Sequence, residues 1–365
     1  MFVASIILFW KKLNALLYFR RNISFYIYYF IYLGVCCVET YTLMPFCPIT
    51  LRLKLFIILF GLLPAGQKCF SQIDSTYIGF FSHELSIRPY FIDSFTALSC
   101  EYGEEEVTYR PNAPFGIGIG AAYKGYSLSG SYGFDFMRDK KKGNTKSIDF
   151  QYHYYGRKFV MDLFFQNYRR FFTEPEFGEY ELFPDIKLEQ YGGFAQYVFN
   201  GNKFSYQAAF DQNEKQLKSV GSFLLGGGVY YNKVQSDSTL QFDNGSNRME
   251  NIQFGVSLGY AYTWVVNKRL YFSGSVAVGA NIGADKFNKL GKKEEWKVYP
   301  TVFPRFSAGY NHDNWSLGLS FVMNRVYVMY SQQSKMAFDT GSMQISFIKR
   351  FDTLDSVIKK IKGRD

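Results

Sequence analysis

Residues that usually carry chemistry are scarce in this chain. Of 365 residues, 3 are histidine, 5 cysteine and 10 proline. The histidines, His83, His153 and His312, lie far apart, and none stands at metal-ligand spacing from another or from a cysteine pair. That excludes the common zinc arrangements. The sequence has no Gly-Lys-Ser/Thr phosphate loop and no His-Glu-x-x-His, the motifs of phosphate binding and zinc hydrolysis. Gly116, Gly118 and Gly120 lack dinucleotide-loop spacing and alternate along a strand-like segment, where small residues serve close packing. No catalytic residue, cofactor or metal is expected, and the chain is not expected to be an enzyme. Long apolar runs are missing too: beyond residue 66 none approaches the ~20 residues of a spanning helix. Mean hydropathy is −0.13, which argues against a helical membrane bundle. With 32 glycines and 10 prolines, a collagen-like chain is excluded. What is abundant is aromatic: Phe, Trp and Tyr make up 20% of the residues, within 47% apolar. A chain with that much surface to bury is not disordered as a whole.

The first 72 residues differ in kind from the rest. They hold four of the cysteines, Cys36, Cys37, Cys47 and Cys69. Lys11, Lys12, Arg20, Arg21, Arg52, Lys54 and Lys68 stand there against the single acid Glu39. Much of the +10 net charge belongs to this leader, so a nucleic-acid footprint, which needs a clustered basic face, is not indicated. Arg52 and Lys54, the apolar core Leu55 to Leu63 and the small-x-small Cys69-Phe70-Ser71 have the order of a secretory signal. The expected organisation is a helical N-terminal leader, with residues 1–43 a spurious upstream extension or membrane anchor and 44–71 a signal peptide. A barrel over 72–351 and a periplasmic tail over 352–365 follow. Cleavage after Ser71 leaves only Cys100, so no internal disulfide forms.

From about residue 84 the dominant period is two. Ile148, Phe150, Tyr152 and Tyr154 alternate with Asp149, Gln151, His153 and Tyr155. Ile252 to Trp264 alternates the same way with Gln253 to Thr263, as does Trp315 to Met323 with Ser316 to Asn324. Such alternation gives each strand one apolar and one polar face. Short turns at Lys124-Gly125, Gly156-Arg157, Asn200-Gly201-Asn202, Asn267-Lys268 and Asn311 to Asn314 read as hairpins. Longer polar segments separate them: Arg138 to Asn144, Thr173 to Asp185, Gln235 to Arg248 and Phe287 to Lys297. Short turns at one end and long loops at the other is the asymmetry of outer-membrane barrels.

The faces decide between a sandwich and a membrane barrel. The apolar face is rich in Tyr, Phe and Trp near strand ends, whereas the opposite face is Gly, Ser, Gln and Asp, too small and polar for a shared core. The expected fold is all-β: a closed antiparallel transmembrane β-barrel of about 12 strands (range 10–14), apolar side out. Closure is required because hydrocarbon cannot satisfy an open edge. Gly341 to Phe351 reads as the last strand.

Within this pattern, Tyr109-Arg110-Pro111-Asn112, Gly116 to Gly120 and Ala122-Tyr123-Lys124 have a familiar order. So do Asn202-Lys203-Phe204-Ser205-Tyr206 and Gln216 to Ser222, inside the longer stretch Phe183 to Tyr231. On these residues the chain resembles the Bacteroidota outer-membrane β-barrel family known as domain of unknown function 4421, over roughly 73–351. The resemblance implies an outer-membrane barrel of a Gram-negative anaerobe. It transfers no catalytic or ligand residue, and residues 1–43 depart from the family's pattern.

The function expected on this reading is a narrow channel or structural barrel in the cell outer membrane. Asp135, Asp149, His153, Asp162, Arg170, Asp211, Arg305 and Arg325 are candidate lumen-lining residues, either setting solute selectivity or pairing across a narrow interior and filling it. The expected partners are outer-membrane lipid, lipopolysaccharide and, during biogenesis, the barrel-assembly machinery, with no nucleic acid. Two alternatives are an enzyme acting on lipid A or phospholipid, with His153 or His83 as base, and a surface-binding barrel using the loop from Glu174 to Asp185.

Overall fold

The computed structural model describes residues 73–123, 126–174, 179–240, 247–287, 296–330 and 334–352. The proposed extension over 1–43, the signal peptide over 44–71 and the tail beyond Asp352 lie outside these residues.

The strands are long because alternation continues without break through each apolar-polar run. In chain order they begin with β1 (Ile78–Phe80), β2 (Leu85–Tyr102), β3 (Glu105–Tyr109), β4 (Gly116–Tyr123) and β5 (Tyr126–Gly133). Next come β6 (Lys146–Tyr155), β7 (Phe159–Thr173), β8 (Glu181–Val198), β9 (Glu214–Gln216) and β10 (Val220–Gln235). The last are β11 (Arg248–Val265), β12 (Leu270–Phe287), β13 (Trp296–Asn311), β14 (Trp315–Tyr330) and β15 (Ser334–Phe351). A 13-stranded antiparallel sheet runs β5-β4-β2-β15-β14-β13-β12-β11-β10-β8-β7-β6, with β3 paired to β2 off that path. The sheet curls on itself. Arg305 of β13 forms a salt bridge with Asp162 of β7, and the Phe194 ring of β8 stacks on Phe303 of β13 with centroids 4.4 Å apart. Strands that far apart along the path meet only across an interior.

The two faces separate as the alternation requires. On β11, Phe254, Val256, Leu258 and Trp264 are exposed, Val256 at 66%, while Asn251, Gln253, Ser257 and Thr263 are buried. Met343, Ile345 and Phe347 of β15 are exposed in the same way. The inner face is less uniformly polar than expected. Phe164, Phe194, Tyr230 and Phe303 form an apolar layer inside. Nearer the long loops, Leu98, Cys100, Tyr109, Phe171, Leu188 and Phe338 form another. Gly118 lies opposite Tyr90 on β2, and a Cβ there would run into the Tyr90 ring. Gly118 is therefore the seat of an inward aromatic ring, and a Cβ on Gly116 would meet Ile92.

Two expectations fail, each for a physical reason. The first is full closure, since β5 and β6 do not pair with each other. At the long-loop end an isolated bridge between Arg110, the residue after β3, and Phe172 of β7 spans the gap without closing the sheet. Residues 134–145, which join β5 to β6, form a strap tied to that bridge. Asn112 Nδ2 donates to the Asp139 and Gly143 carbonyls at 2.7 and 2.6 Å, and Thr145 Oγ1 donates to the Arg170 carbonyl at 2.8 Å. Held there, the strap keeps the two end strands apart.

The second concerns Asn200-Gly201-Asn202, which does not close a tight hairpin. β8 pairs with β10, and residues 199–219 between them fold inward. The amides of Lys203 and Phe204 donate to the Asn200 carbonyl at 3.0 and 2.8 Å, which starts a turn instead of a return strand. A π-helical turn, Gln207–Asp211, follows, and then β9, which pairs with β1 outside the main sheet. A Cβ on Gly201 would strike the Arg157 carbonyl, so only glycine lets the chain pass. Phe204, Tyr206, Ala209 and Phe210 bury themselves among Tyr155, Val198, Leu224 and Tyr271 at the short-turn end.

The strap makes a pH-dependent contact. Lys142 Nζ and Arg110 Nη1 donate to Glu174 at 3.0 and 2.8 Å. The Lys142 hydrogen bond, with help from Arg110, holds the Glu174 carboxyl below the usual glutamate range. A depressed carboxyl pKa stabilises the folded arrangement above the unfolded value of about 4.3, and the contribution fades as pH falls through the folded value. Amide exchange of residues 138–145, corrected for intrinsic rate, should therefore quicken as pH drops from 7 to 3. Glu174→Gln should show raised exchange with little pH dependence. Superimposable profiles for the two proteins would show that Glu174 does not hold the strap.

Candidate functional site

The interior is the candidate site, and its side chains fall into layers set by their distance along the strands. At the short-turn mouth the inserted segment is tied to the wall on several sides. Tyr271 Oη donates to the Ala209 carbonyl at 2.8 Å. Gln212, with φ of 50°, donates through Nε2 to the Leu317 carbonyl at 3.0 Å. Arg350 Nη2 donates to the Gln212 carbonyl at 2.7 Å. Arg88 Nη1 stands 3.5 Å from Asp211 Oδ1. Arg157 pairs with Glu214, which also accepts from Ser205 Oγ at 2.6 Å. Burial pushes the Glu214 carboxyl up, against the opposing pull of Arg157 and Ser205.

One layer further in, Asp162 sits between two partners. Its Oδ1 lies 2.7 Å from His153 Nδ1, and its Oδ2 accepts from Arg305 Nη2. Asp162 and Arg305 side chains are each 1% exposed. The Arg305 guanidinium also lies over the Phe194 ring, 5.4 Å from its centroid. Next come Asp149, Gln166, Tyr168 and Thr96. Tyr168 Oη donates to Asp149 Oδ2 at 2.6 Å, and Gln166 Nε2 donates to Asp149 Oδ1 at 3.0 Å and to Thr96 Oγ1 at 3.3 Å. At a similar depth an amide chain crosses neighbouring strands. Gln190 donates to Asn232 at 2.9 Å, Gln253 to Asn251 at 2.6 Å and Asn281 to Gln253 at 2.7 Å.

The eight sequence-derived candidates therefore part company. Asp162, His153 and Arg305 meet in one cluster, and Asp149 joins the Tyr168 network. Asp211 lies on the inserted segment and faces Arg88. Asp135 is not on a strand: it opens an exposed 3-10 turn, Asp135–Met137, and stands 3.4 Å from Arg138. Arg170 is exposed at a β-bulge with φ of 71°, which breaks the alternation of β7 and turns its side chain away. Arg325 falls on the outer face, in step with Leu317 and Met323, and binds Asp339 across the strand pair through Nε and Nη2 at 2.6 and 2.7 Å. Sequence reasoning passed over Arg88, Arg157, Glu214, Asp339 and Arg350. Arg88 and Arg350 were visible by parity with Tyr90 and Ile348; the others needed tertiary partners.

The two histidines offered as bases face carboxylates. His153 meets Asp162, and His83 Nε2 lies 3.3 Å from Asp352. Among the described residues no serine or cysteine hydrogen-bonds to either. Chemically, the arrangement neutralises charge inside a low-dielectric interior. Removing one member of a buried pair leaves the other unpaired, which costs about 3–5 kcal/mol. Asp162→Ala should lower unfolding stability by about that amount, measured by urea titration of the refolded protein. Asp162→Leu combined with Arg305→Met should recover most of the loss. A single-variant loss under about 1 kcal/mol, the usual size for an exposed pair, would show that the pair is solvated.

Among solved structures, the chain is similar to the outer-membrane protease OmpT of Escherichia coli, with a TM-score of 0.33 and 8% identity over 73% of this chain and 97% of that one. It is also similar to the toluene transporter TodX of Pseudomonas putida, at 0.24 and 7% over 74% and 91%. Neisserial surface protein A gives 0.21 and 7% over 73% and 97%. Likenesses this weak carry no statement about activity. No curated protein matches the chain. The sequence profile of one family covers residues 72–351, nearly all of the strand-forming chain, and the protein belongs to that family, the domain of unknown function DUF4421.

Proposed function

We propose that this chain is an outer-membrane β-barrel of a Gram-negative envelope, filled by its own side chains and inserted segment. On this reading it acts as a sealed structural barrel, not as a solute channel or an enzyme. The observation that carries the membrane part is the inverted sheet: Val256, Leu258, Phe254 and Ile345 face outward while Asn251, Gln253 and Thr263 are buried. A water-soluble protein gains nothing from a continuous apolar belt of this extent, and large exposed patches of this kind mark membrane or partner surfaces. Outer-membrane lipid and lipopolysaccharide are then the contacts of the belt, and the barrel-assembly machinery acts during biogenesis. Val256→Arg, near the middle of β11, should lower stability in lipid vesicles by about 2–4 kcal/mol. The inward Ser257→Thr should cost far less. An unchanged Val256→Arg protein would remove the membrane reading.

Support for the sealed part comes from the pairing. Asp162 and Arg305, Glu214 and Arg157, and Asp211 and Arg88 neutralise one another, and Phe204, Tyr206 and Phe210 occupy the short-turn mouth. The wild-type protein in planar bilayers is expected to pass no current at any voltage or salt. Replacing Lys203–Gln216 with a short Gly-Ser linker should open a conductance. Steady current through the intact protein would restore the channel reading.

A further inference from the structure

A cavity of about 670 Å3 lies outside the filled interior, between the strap and the outer side of the wall. That is within the range of small-molecule sites, about 300–1,000 Å3. Phe95 and Ala97 of β2 and Met323 of β14 line it from the wall, and Phe115 and Met137 from the opposite side. Phe115 is exposed to the opening. Five carboxylates and three cations line the space: Asp93, Glu106, Asp139, Glu174 and Asp339 against Arg110, Lys142 and Arg325.

The pairing of these charges decides what the cavity accepts. Each cation already holds a carboxylate. Arg325 binds both oxygens of Asp339 at 2.6 and 2.7 Å, while Arg110 and Lys142 share Glu174 at 2.8 and 3.0 Å. Lys142 Nζ is committed further, 5.1 Å from the centroids of Phe172 and Tyr180. An anion entering here would have to displace one of these carboxylates. On the acidic side, Asp139 accepts from the Lys141 amide at 3.0 Å, and Glu106 is exposed. Asp93 is half-buried, and among the described residues it accepts no hydrogen bond. A desolvated carboxylate without a donor is costly, and an entering cation removes that cost. The apolar and aromatic lining suits an organic body, and ring faces favour an adjacent ammonium.

We propose that this cavity binds an organic cation, an ammonium group on an apolar body, anchored by Asp93. The proposal stands whether or not the interior conducts. It is tested by isothermal titration of the full chain in neutral glucoside micelles, where no lipid ammonium competes. The probes are 2-phenylethylammonium, neutral 2-phenylethanol and anionic phenylacetate. The ammonium should bind saturably at one site, the alcohol at least tenfold more weakly, and phenylacetate not at all. Asp93→Asn should weaken the ammonium at least tenfold. Met137→Trp, which fills the space and leaves Asp93 intact, should abolish binding. No saturable binding of the ammonium, phenylacetate binding as tightly, or an unchanged affinity in Asp93→Asn overturns the proposal. Should Asp93→Asn fail to fold, Met137→Trp decides alone: retained affinity there refutes the site.

Discussion

One constraint governs the molecule: its sheet faces apolar on the outside, so polar side chains must be satisfied on the inside. Outward Val256 and Leu258 and inward Asn251 and Gln253 are neighbours on one strand, and no slip of register can serve both faces. Once the polar residues are enclosed, each needs a partner from another strand. Asp162 finds Arg305 and His153, and the buried Tyr168 and Gln166 find the exposed Asp149. Gln190, Asn232, Asn251, Gln253 and Asn281 find one another. The ion pair and the amide chain answer the same demand, because a buried polar group left alone costs more than the pair contributes.

Side chains alone do not fill the interior. A curled sheet this wide leaves room at its mouths, and the chain uses backbone to occupy one of them. Residues 199–219 turn inward after β8 and place Phe204, Tyr206 and Phe210 against β-strand residues such as Tyr155 and Leu224. Arg88, Tyr271 and Arg350 hydrogen-bond to the carbonyls or carboxylate of this segment, so it is bound to the wall through its own backbone. At the other mouth an apolar layer built on Leu98, Tyr109, Phe171 and Phe338 does the same with side chains.

The alternation was legible in the sequence because it is a local property: two residues per repeat, whatever the fold. The same holds for the hairpins at Gly156, Asn267 and Asn311, whose strands pair within a few residues of the turn. Asn200-Gly201-Asn202 carries the same local signal, yet the outcome was set by Arg157, Gly221 and Ser222, none of them adjacent. Asn200 Nδ2 donates to the Gly221 carbonyl at 2.8 Å, and the Asn200 backbone amide donates to Ser222 Oγ at 2.9 Å. Arg170 shows the reverse limit: one residue of bulge undid a parity count that was sound up to Gln166. Asp162 and Arg305 could each be assigned to the inner face by period, but their pairing spans 143 positions, which no local reading reaches.

The unpaired ends of the sheet follow from where the chain anchors itself. β4 and β5 have 8 residues and β6 has 10, against 18 for β2, β8, β11 and β15. Short end strands limit the number of backbone groups left at an edge, the usual way of containing that liability. β2 divides its free edge between β3 near the long loops and β4 near the short turns. The isolated bridge from Arg110 to Phe172 takes the long-loop end of the gap that β4 and β5 leave open. The strap that joins β5 to β6 then has to cross outside β3 and β7, where Asn112, Thr145 and Glu174 hold it. The open edge and the cavity beneath the strap thus share one origin: the segment after β3, not β4 or β5, reaches β7 at the long-loop end.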